Sequence, residues 1–492
     1  MEIETNTQTI QNYNYDLFVI GGGSGGIKTA TTASKLGAKV AVADYVKPSE
    51  MGTSWGLGGT CVNVGCIPKY LFHSAANLGD LLHDQRAAGF NAPDQLTHNW
   101  ETMTKKVHEY IRKLNWDAKL TLTQLGVKYY NKLARFVDQH TVELYDPKHN
   151  TTETVTAKNI VISVGGRPTY LENIDPKLTM TSDDIFFAKK NPGKTLVVGA
   201  GYVSLESAGF LNGLGCDVTV MVRSVLLRSF DQDAVTRVGK YMENKGVKFI
   251  TGAIPDNVSL LENGQRRVSW GTNSEDFDTV LVAIGRTANT KYLNLEAAGV
   301  KYDPRNLNIY TNDVDATNVD NIYAIGDCAF DRPELTSVAV MAGSLLASRL
   351  FSESTKLMNY KNVASTVFTP LEYGFIGYSE KDAISTFGKD NIVAYHSTFK
   401  PLDWIYNDNV DLCYIKMVCL KENEKIIGLH YVGPNSANIM QGYSVALNLN
   451  ATRQDFIDTV AIHPSYSEEL LDLNILTSQD PLNSEGCKNC GL

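Results

Sequence analysis

Short, wholly apolar runs followed at once by glycine set the pattern of this chain. Residues 17–20, LFVI, offer no polar position to a solvated face. A run so short and uniform predicts a strand buried on both sides, as in a parallel sheet. It opens into GGGSGG, then a segment rich in Ala and Thr with helical length, then a second strand, AKVAVAD. The same succession returns where TLVVG leads to GAGYVSLESAGF and on to CDVTVMVRS. Strand, glycine turn, helix and strand, given twice, predict two βαβ nucleotide folds.

The two copies differ where it matters chemically. In the first, Gly21, Gly23 and Gly26 keep G-x-G-x-x-G spacing and the second strand ends in Asp44. The glycines allow a tight turn and bring backbone close to a pyrophosphate at a helix N-terminus, where N–H groups face negative charge. Asp44 suits free ribose hydroxyls and repels a 2′-phosphate. In the second copy Gly199 and Gly201 are followed by Ser204, and the strand ends in Arg223 with Arg228 close behind. A guanidinium forks onto phosphate oxygens, so this copy suits NADP. Two different dinucleotides on one chain suit hydride transfer between a nicotinamide and a flavin.

A length of 492 residues predicts about three domains. The net charge of −9 argues against nucleic acid or an anionic membrane as partner. No apolar run approaches the roughly 20 residues of a membrane helix. The leader, MEIETNTQTIQNYNYD, lacks a basic region and an apolar core, so the expected compartment is the cytoplasm. Thiols stay reduced there, and close cysteine pairs are more often catalytic or metal-binding than structural.

Cys61 and Cys66 have four residues between them in GGTCVNVGCIPKYLFHSAANLG, where Gly65 and Pro68 lead into a helical pattern. A thiol at a helix N-terminus has its thiolate stabilised, and a dithiol–disulfide pair passes the two electrons of one hydride. Zinc would need a second pair or an adjacent His, which the segment does not offer, so no metal is expected. Two buried structural thiols remain the alternative on these residues alone. Cys216, Cys328, Cys413 and Cys419 sit in or beside apolar runs and read as core. Cys487 and Cys490 close the chain in GCKNCGL, behind a stretch of Pro, Asn, Ser and Gly that suggests a mobile arm.

GGTCVNVGCIPK, GAGYVSLESAGF, YAIGDC, STVFTPLEYG and HPSYSEE together resemble the pyridine nucleotide–disulfide oxidoreductases. Within that family, GTSWGLGGTCVNVGCIPK and VMVRSVLLRSFDQD are most similar to the large, animal-type thioredoxin reductase branch. The resemblance implies FAD in the first fold, with Gly21, Gly23, Gly26, Asp44, Thr60 and Asp327 around it. It implies NADPH in the second, with Gly199, Gly201, Arg223, Arg228 and Gly285, and with Tyr202 gating the nicotinamide. Lys69 and Glu206 match an ion pair beside the reactive ring edge. Cys66 would face the flavin and Cys61 exchange with the next acceptor. His463, with Glu468 rather than Glu469 orienting it, would be the base. In the family this His comes from the neighbouring subunit, so a homodimer is implied.

The fold class expected is therefore α/β, with two Rossmann-like domains and a C-terminal α+β interface domain. The boundaries are 1–165 and 291–360 for the split FAD-binding domain, 166–290 for the NADP-binding domain and 361–480 for the interface domain. The strand-like STVFTPLEYGFIGYSE and YIKMVCL belong to the last. Residues 481–492 would be a redox-active tail able to span roughly 40 Å, relaying electrons through Cys487 and Cys490 to thioredoxin. The branch commonly ends in adjacent Cys and selenocysteine, or adjacent cysteines; here Lys488 and Asn489 separate the thiols. Glutathione reductase is the nearest rival, but its tripeptide-binding arginine is replaced at the matching position by Thr31. Mercuric reductase more often reads PSK than the PKY found here, and dihydrolipoamide dehydrogenase would want an acid in place of Arg223. A protein that merely binds nucleotide or metal is the remote alternative.

Overall fold

The computed structural model describes residues 12–91, 97–407 and 411–478. Most of the leader and the tail, with Cys487 and Cys490, lie outside the described residues. The LFVI run is the buried part of the strand Tyr15–Ile20. Val40–Ala43 and then Lys128–Tyr130 lie on one side of it and Thr151–Ile162 on the other, parallel where they meet. Ile322–Ala324 then adds to the far side of Thr151–Ile162, with Ile322 opposite Ile160. The sheet is thus completed by a strand that arrives after the whole second fold. The first half of Thr151–Ile162 also pairs antiparallel with Thr141–Asp146, extending the sheet.

The second fold orders Lys248–Thr251, Val218–Val222, Thr195–Val198 and Thr279–Val282 side by side, all parallel. Every residue of Thr195–Val198, Val218–Val222 and Thr279–Val282 is buried, as their β-branched and apolar runs require. The chain enters this fold through Gly166–Pro168 and leaves through Arg286–Ala288, and these two segments pair as an antiparallel ribbon.

The third unit is a six-stranded antiparallel sheet ordered Ser365–Val367, Tyr373–Gly377, Ile426–Val432, Cys413–Leu420, Ile392–Phe399 and Ile475–Leu476. The run STVFTPLEYGFIGYSE, strand-like throughout in sequence, is broken into two paired strands by the turn around Pro370, which cannot donate to a ladder. One large apolar cluster joins the second fold, the third unit and the helix that follows the first cysteine pair. Among the described residues, no helix is long and apolar enough to cross a membrane.

Candidate active site

The first glycine turn leaves no room for a side chain at its third position. A Cβ on Gly26 would lie 1.9 Å from Gly21 O. In the second turn the equivalent Ser204 fits because its hydroxyl donates to Gly199 O at 2.8 Å, using the contact that excludes a side chain at Gly26. Asp44 meets the first turn directly, accepting from Gly22 N at 3.0 Å. Burial pushes its pKa up to about 6, against the pull of that hydrogen bond. This carboxylate has spare acceptor capacity in a cavity lined by Gly21, Gly23, Thr60 and Asp327. Such a cleft, with a glycine floor and a part-satisfied acid, fits the diphosphate and ribose of FAD.

The thiols sit where two helices meet. Cys61 lies in Gly59–Val64 and Cys66 is the first residue of Cys66–Ala87, with Gly65 between. A Cβ on Gly65 would come within 2.9 Å of Thr60 O, so the break between the helices is as tight as glycine permits. Phe72 anchors the longer helix, edge-on to Trp100, Phe186 and Phe210 at 5.3–5.4 Å between centroids. Each such pair adds about 0.5–1.5 kcal/mol beyond area burial, so the position of Cys66 is set by rigid packing.

The two thiols polarise each other. The Cys61 thiol donates to the Cys66 sulfur, and this above all brings Cys66 down to about 6, with Thr336 and Lys69 assisting against burial. Cys61 is pushed well up by the same hydrogen bond and by burial. Thr336 Oγ1 lies 3.4 Å from Cys66 Sγ. One turn further along, Lys69 forms an ion pair with Glu206, whose side chain is 1% exposed. Burial disfavours the charge on Lys69, but Glu206 outweighs it and the pKa is raised. Lys69 Nζ is also 5.0 Å from the centroid of the Tyr202 ring, at the start of the helix after the second glycine turn.

These residues share one cavity of about 1590 Å³. Cys61, Cys66 and Lys69 line it from the first domain; Gly199, Gly201, Tyr202, Glu206 and Gly285 line it from the second. Arg223 and Arg228 stand exposed at its edge, and among the described residues neither is paired with a carboxylate. A Cβ on Gly201 would meet nothing within 4 Å, so the turn faces open space. Guanidinium groups without a carboxylate partner beside an open glycine turn, with Arg228 donating to Ser224 Oγ at 2.6 Å, fit the phosphorylated ribose and pyrophosphate of NADPH. Thr60, Cys61, Asp327 and Thr336 border this cavity and the Asp44 cavity alike.

His463 is elsewhere. It does not line this cavity; it lies half-exposed near the end of the third unit, with Nδ1 3.0 Å from Glu468 Oε2. Glu468 is held in turn by Ser465 N at 2.9 Å, so the carboxylate on His463 is Glu468 and not Glu469. Cys216, Cys328, Cys413 and Cys419 are all buried. Among the described residues there is no group of three or more His, Cys, Asp or Glu arranged to hold a metal.

Sequence reading missed three residues at the site. Thr336 reaches Cys66 from the far end of the first domain. Arg286 donates to Thr60 Oγ1 at 3.2 Å and to Gly166 O, joining the ribbon to the cysteine segment. Glu334 lines the large cavity, its pKa raised mainly by burial. The only signal was their nearness in sequence to Gly285 and to YAIGDC.

Comparison with known proteins agrees with this geometry. Residues 15–343 match the family model described as pyridine nucleotide-disulphide oxidoreductase. Residues 363–473 match the dimerisation domain of the same family. A thioredoxin reductase of Emiliania huxleyi is 49% identical over 494 aligned residues, covering 96% of this chain and 98% of that protein.

Proposed function

The chain belongs to the pyridine nucleotide-disulphide oxidoreductases, and we propose that it is a thioredoxin-disulfide reductase dependent on FAD and NADPH. The observation that carries this reading is a polarised dithiol, Cys61 and Cys66, opening onto a cavity that both nucleotide folds share. When bound, NADPH and FAD supply a hydride and convey its two electrons toward sulfur.

The residues of the chain manage charge and protons. Lys69, fixed by Glu206, and Thr336 both favour the thiolate at Cys66, the thiol that by family resemblance would face the flavin. Cys61 keeps its proton until a base removes it, and is then the sulfur that attacks the next disulfide. His463, oriented by Glu468, is that base, contributed by the second subunit of a homodimer. Cys61 would attack the Cys487–Cys490 disulfide to give a mixed disulfide. Cys66 would then displace the tail as a dithiol, free to reduce thioredoxin.

Glutathione is the less favoured substrate. Thr31 is buried, and its hydroxyl donates to Ile27 O and Lys28 O within its own helix, so it offers a tripeptide carboxylate no cation. The 49% identical relative is a thioredoxin reductase, which also favours thioredoxin. The cytoplasm is the proposed compartment. Cys487→Ser and Cys490→Ser should each abolish NADPH-dependent thioredoxin reduction and leave electron transfer to a small quinone intact. Full thioredoxin turnover by a chain cut at Ser484 would overturn the relay.

A further inference from the structure

The loop that carries Arg223 and Arg228 ends on a buried cation belonging to another domain. It leaves the strand Val218–Val222 and runs to Asp231, the cap of the helix Gln232–Asn244. Asp231 Oδ1 accepts from Asp233 N at 3.2 Å and Ala234 N at 3.4 Å, which is ordinary capping. Its second oxygen turns toward the third unit. Oδ2 accepts from Lys416 Nζ at 3.0 Å and from Glu380 N at 3.3 Å. Lys416 stands inside the strand Cys413–Leu420 and its side chain is 2% exposed. It also donates to Asp233 Oδ2 at 2.6 Å and Glu380 Oε2 at 3.0 Å. An ammonium has three protons, and here three carboxylates take them. Two come from the nucleotide fold and one from the third unit.

Neighbouring contacts reinforce this junction. Phe230, next to Asp231, packs edge-on against Phe375 of the third unit at 5.1 Å between centroids. Midway along the arginine loop, between Arg223 and Arg228, Leu227 N donates to Ala200 O in the second glycine turn at 2.8 Å. The loop is therefore held at the glycine turn and at the third unit, with both arginines on the intervening or adjoining stretch. A buried lysine in a central strand is a poor way to gain stability, since apolar residues of similar volume do as well or better. Neither Lys416 nor Asp231 lines the dithiol cavity, so thiol chemistry does not account for them.

We propose that Lys416 is a positioning residue for nucleotide selection. By holding Asp231 against the third unit, it fixes the loop so that Arg223 and Arg228 face the 2′-phosphate of the nucleotide. The inference rests on the reading of those arginines as the phosphate contacts, and extends the machinery of selection to a domain that does not bind the nucleotide's ribose.

The test uses the flavin-loaded enzyme and two probes, adenosine 2′,5′-bisphosphate and 5′-AMP, titrated by calorimetry. The variants are Lys416→Met, Asp231→Asn, which keeps a good helix cap, and the pair Arg223→Ala with Arg228→Ala. Lys416→Met should weaken the bisphosphate about tenfold and AMP less than about twofold, a selective loss equal to one charge-assisted contact. Asp231→Asn should act in the same direction. The KM for NADPH should rise in parallel while kcat at saturating NADPH holds. Equal weakening of both probes, or no weakening in either variant, overturns the inference. If Lys416→Met does not retain flavin, the ratio in Asp231→Asn decides. If the arginine variants leave bisphosphate binding unchanged, the phosphate-site reading itself fails, a result distinct from failure of the Lys416 variants alone.

Discussion

Changing Glu206 to Gln removes one charge from a pair that water scarcely reaches. The side chains are 1% exposed at Glu206 and 12% at Lys69, and the other carboxylate oxygen accepts from Phe368 N at 2.7 Å. Removing one partner of a buried pair costs about 3–5 kcal/mol, and the opening of Lys69 toward the cavity places the expectation at the lower end, about 3 kcal/mol. At roughly 2–4 °C per kcal/mol for a folding unit of about 150–250 residues, the melting temperature drops by about 6–12 °C. The pH dependence has a definite sign. In the wild type the folded-state pKa of Lys69 is raised, so its stabilisation is complete at neutral pH and is lost only as pH rises through that value. In the Gln variant burial acts on Lys69 without its counter-charge and the shift reverses. The unfolded chain then binds more protons, and stability increases with pH. The deficit should therefore be smaller near about pH 9.5 than near about pH 7. Thermal unfolding of the flavin-loaded enzyme, followed by flavin fluorescence at both pH values, measures it. The double variant Lys69→Met with Glu206→Gln should regain most of the loss, since a neutral pair of similar volume leaves no charge stranded. Additive losses in the double variant, or a deficit indifferent to pH, would refute the reasoning.

Titration of the reduced enzyme by thiolate absorbance should show Cys66 ionising at about 6. Thr336→Val should move the midpoint up; an unmoved midpoint would remove Thr336 from the site. Glu468→Ala, which takes away the 3.0 Å partner of His463, should slow thioredoxin turnover roughly 10–100-fold while stopped-flow reduction of the flavin by NADPH proceeds as before. Gly59→Ala would drive a methyl group to 2.7 Å from Gly23 Cα at a positive φ, so the purified protein should carry less flavin, measured from its visible absorbance.

Much of this site is local in sequence and so could be read there. Each glycine turn lies within a single strand–helix unit, and Asp44 and Arg223 fall at the ends of the adjacent strands. The cysteine pair and the helix start that polarises it occupy one short segment, and Glu468 reaches His463 across five residues. What the sequence hides is whatever depends on distant segments meeting. Thr336 contacts Cys66 across 270 residues, and Lys416 meets Asp231 across 185. No periodicity marks either one; Lys416 sits in YIKMVCL as the lone charge in an apolar run, which by itself reads as an edge or a flaw in a strand. The ribbon Gly166–Pro168 with Arg286–Ala288 was equally silent, because each half is three residues long and acquires its partner only when the inserted fold has formed.

That ribbon has a consequence for synthesis. During translation the first sheet must wait: Thr151–Ile162 has a bare edge until Ile322–Ala324 leaves the ribosome. The inserted fold suffers no such delay, because its parallel strands all lie between the two arms of the ribbon. It can complete itself first and, by bringing its own ends together, hand the nascent chain back beside the strand that is waiting for it. The guest thereby shortens the search of its host, and the nucleotide fold acts as a staple within the polypeptide before it has any nucleotide to bind.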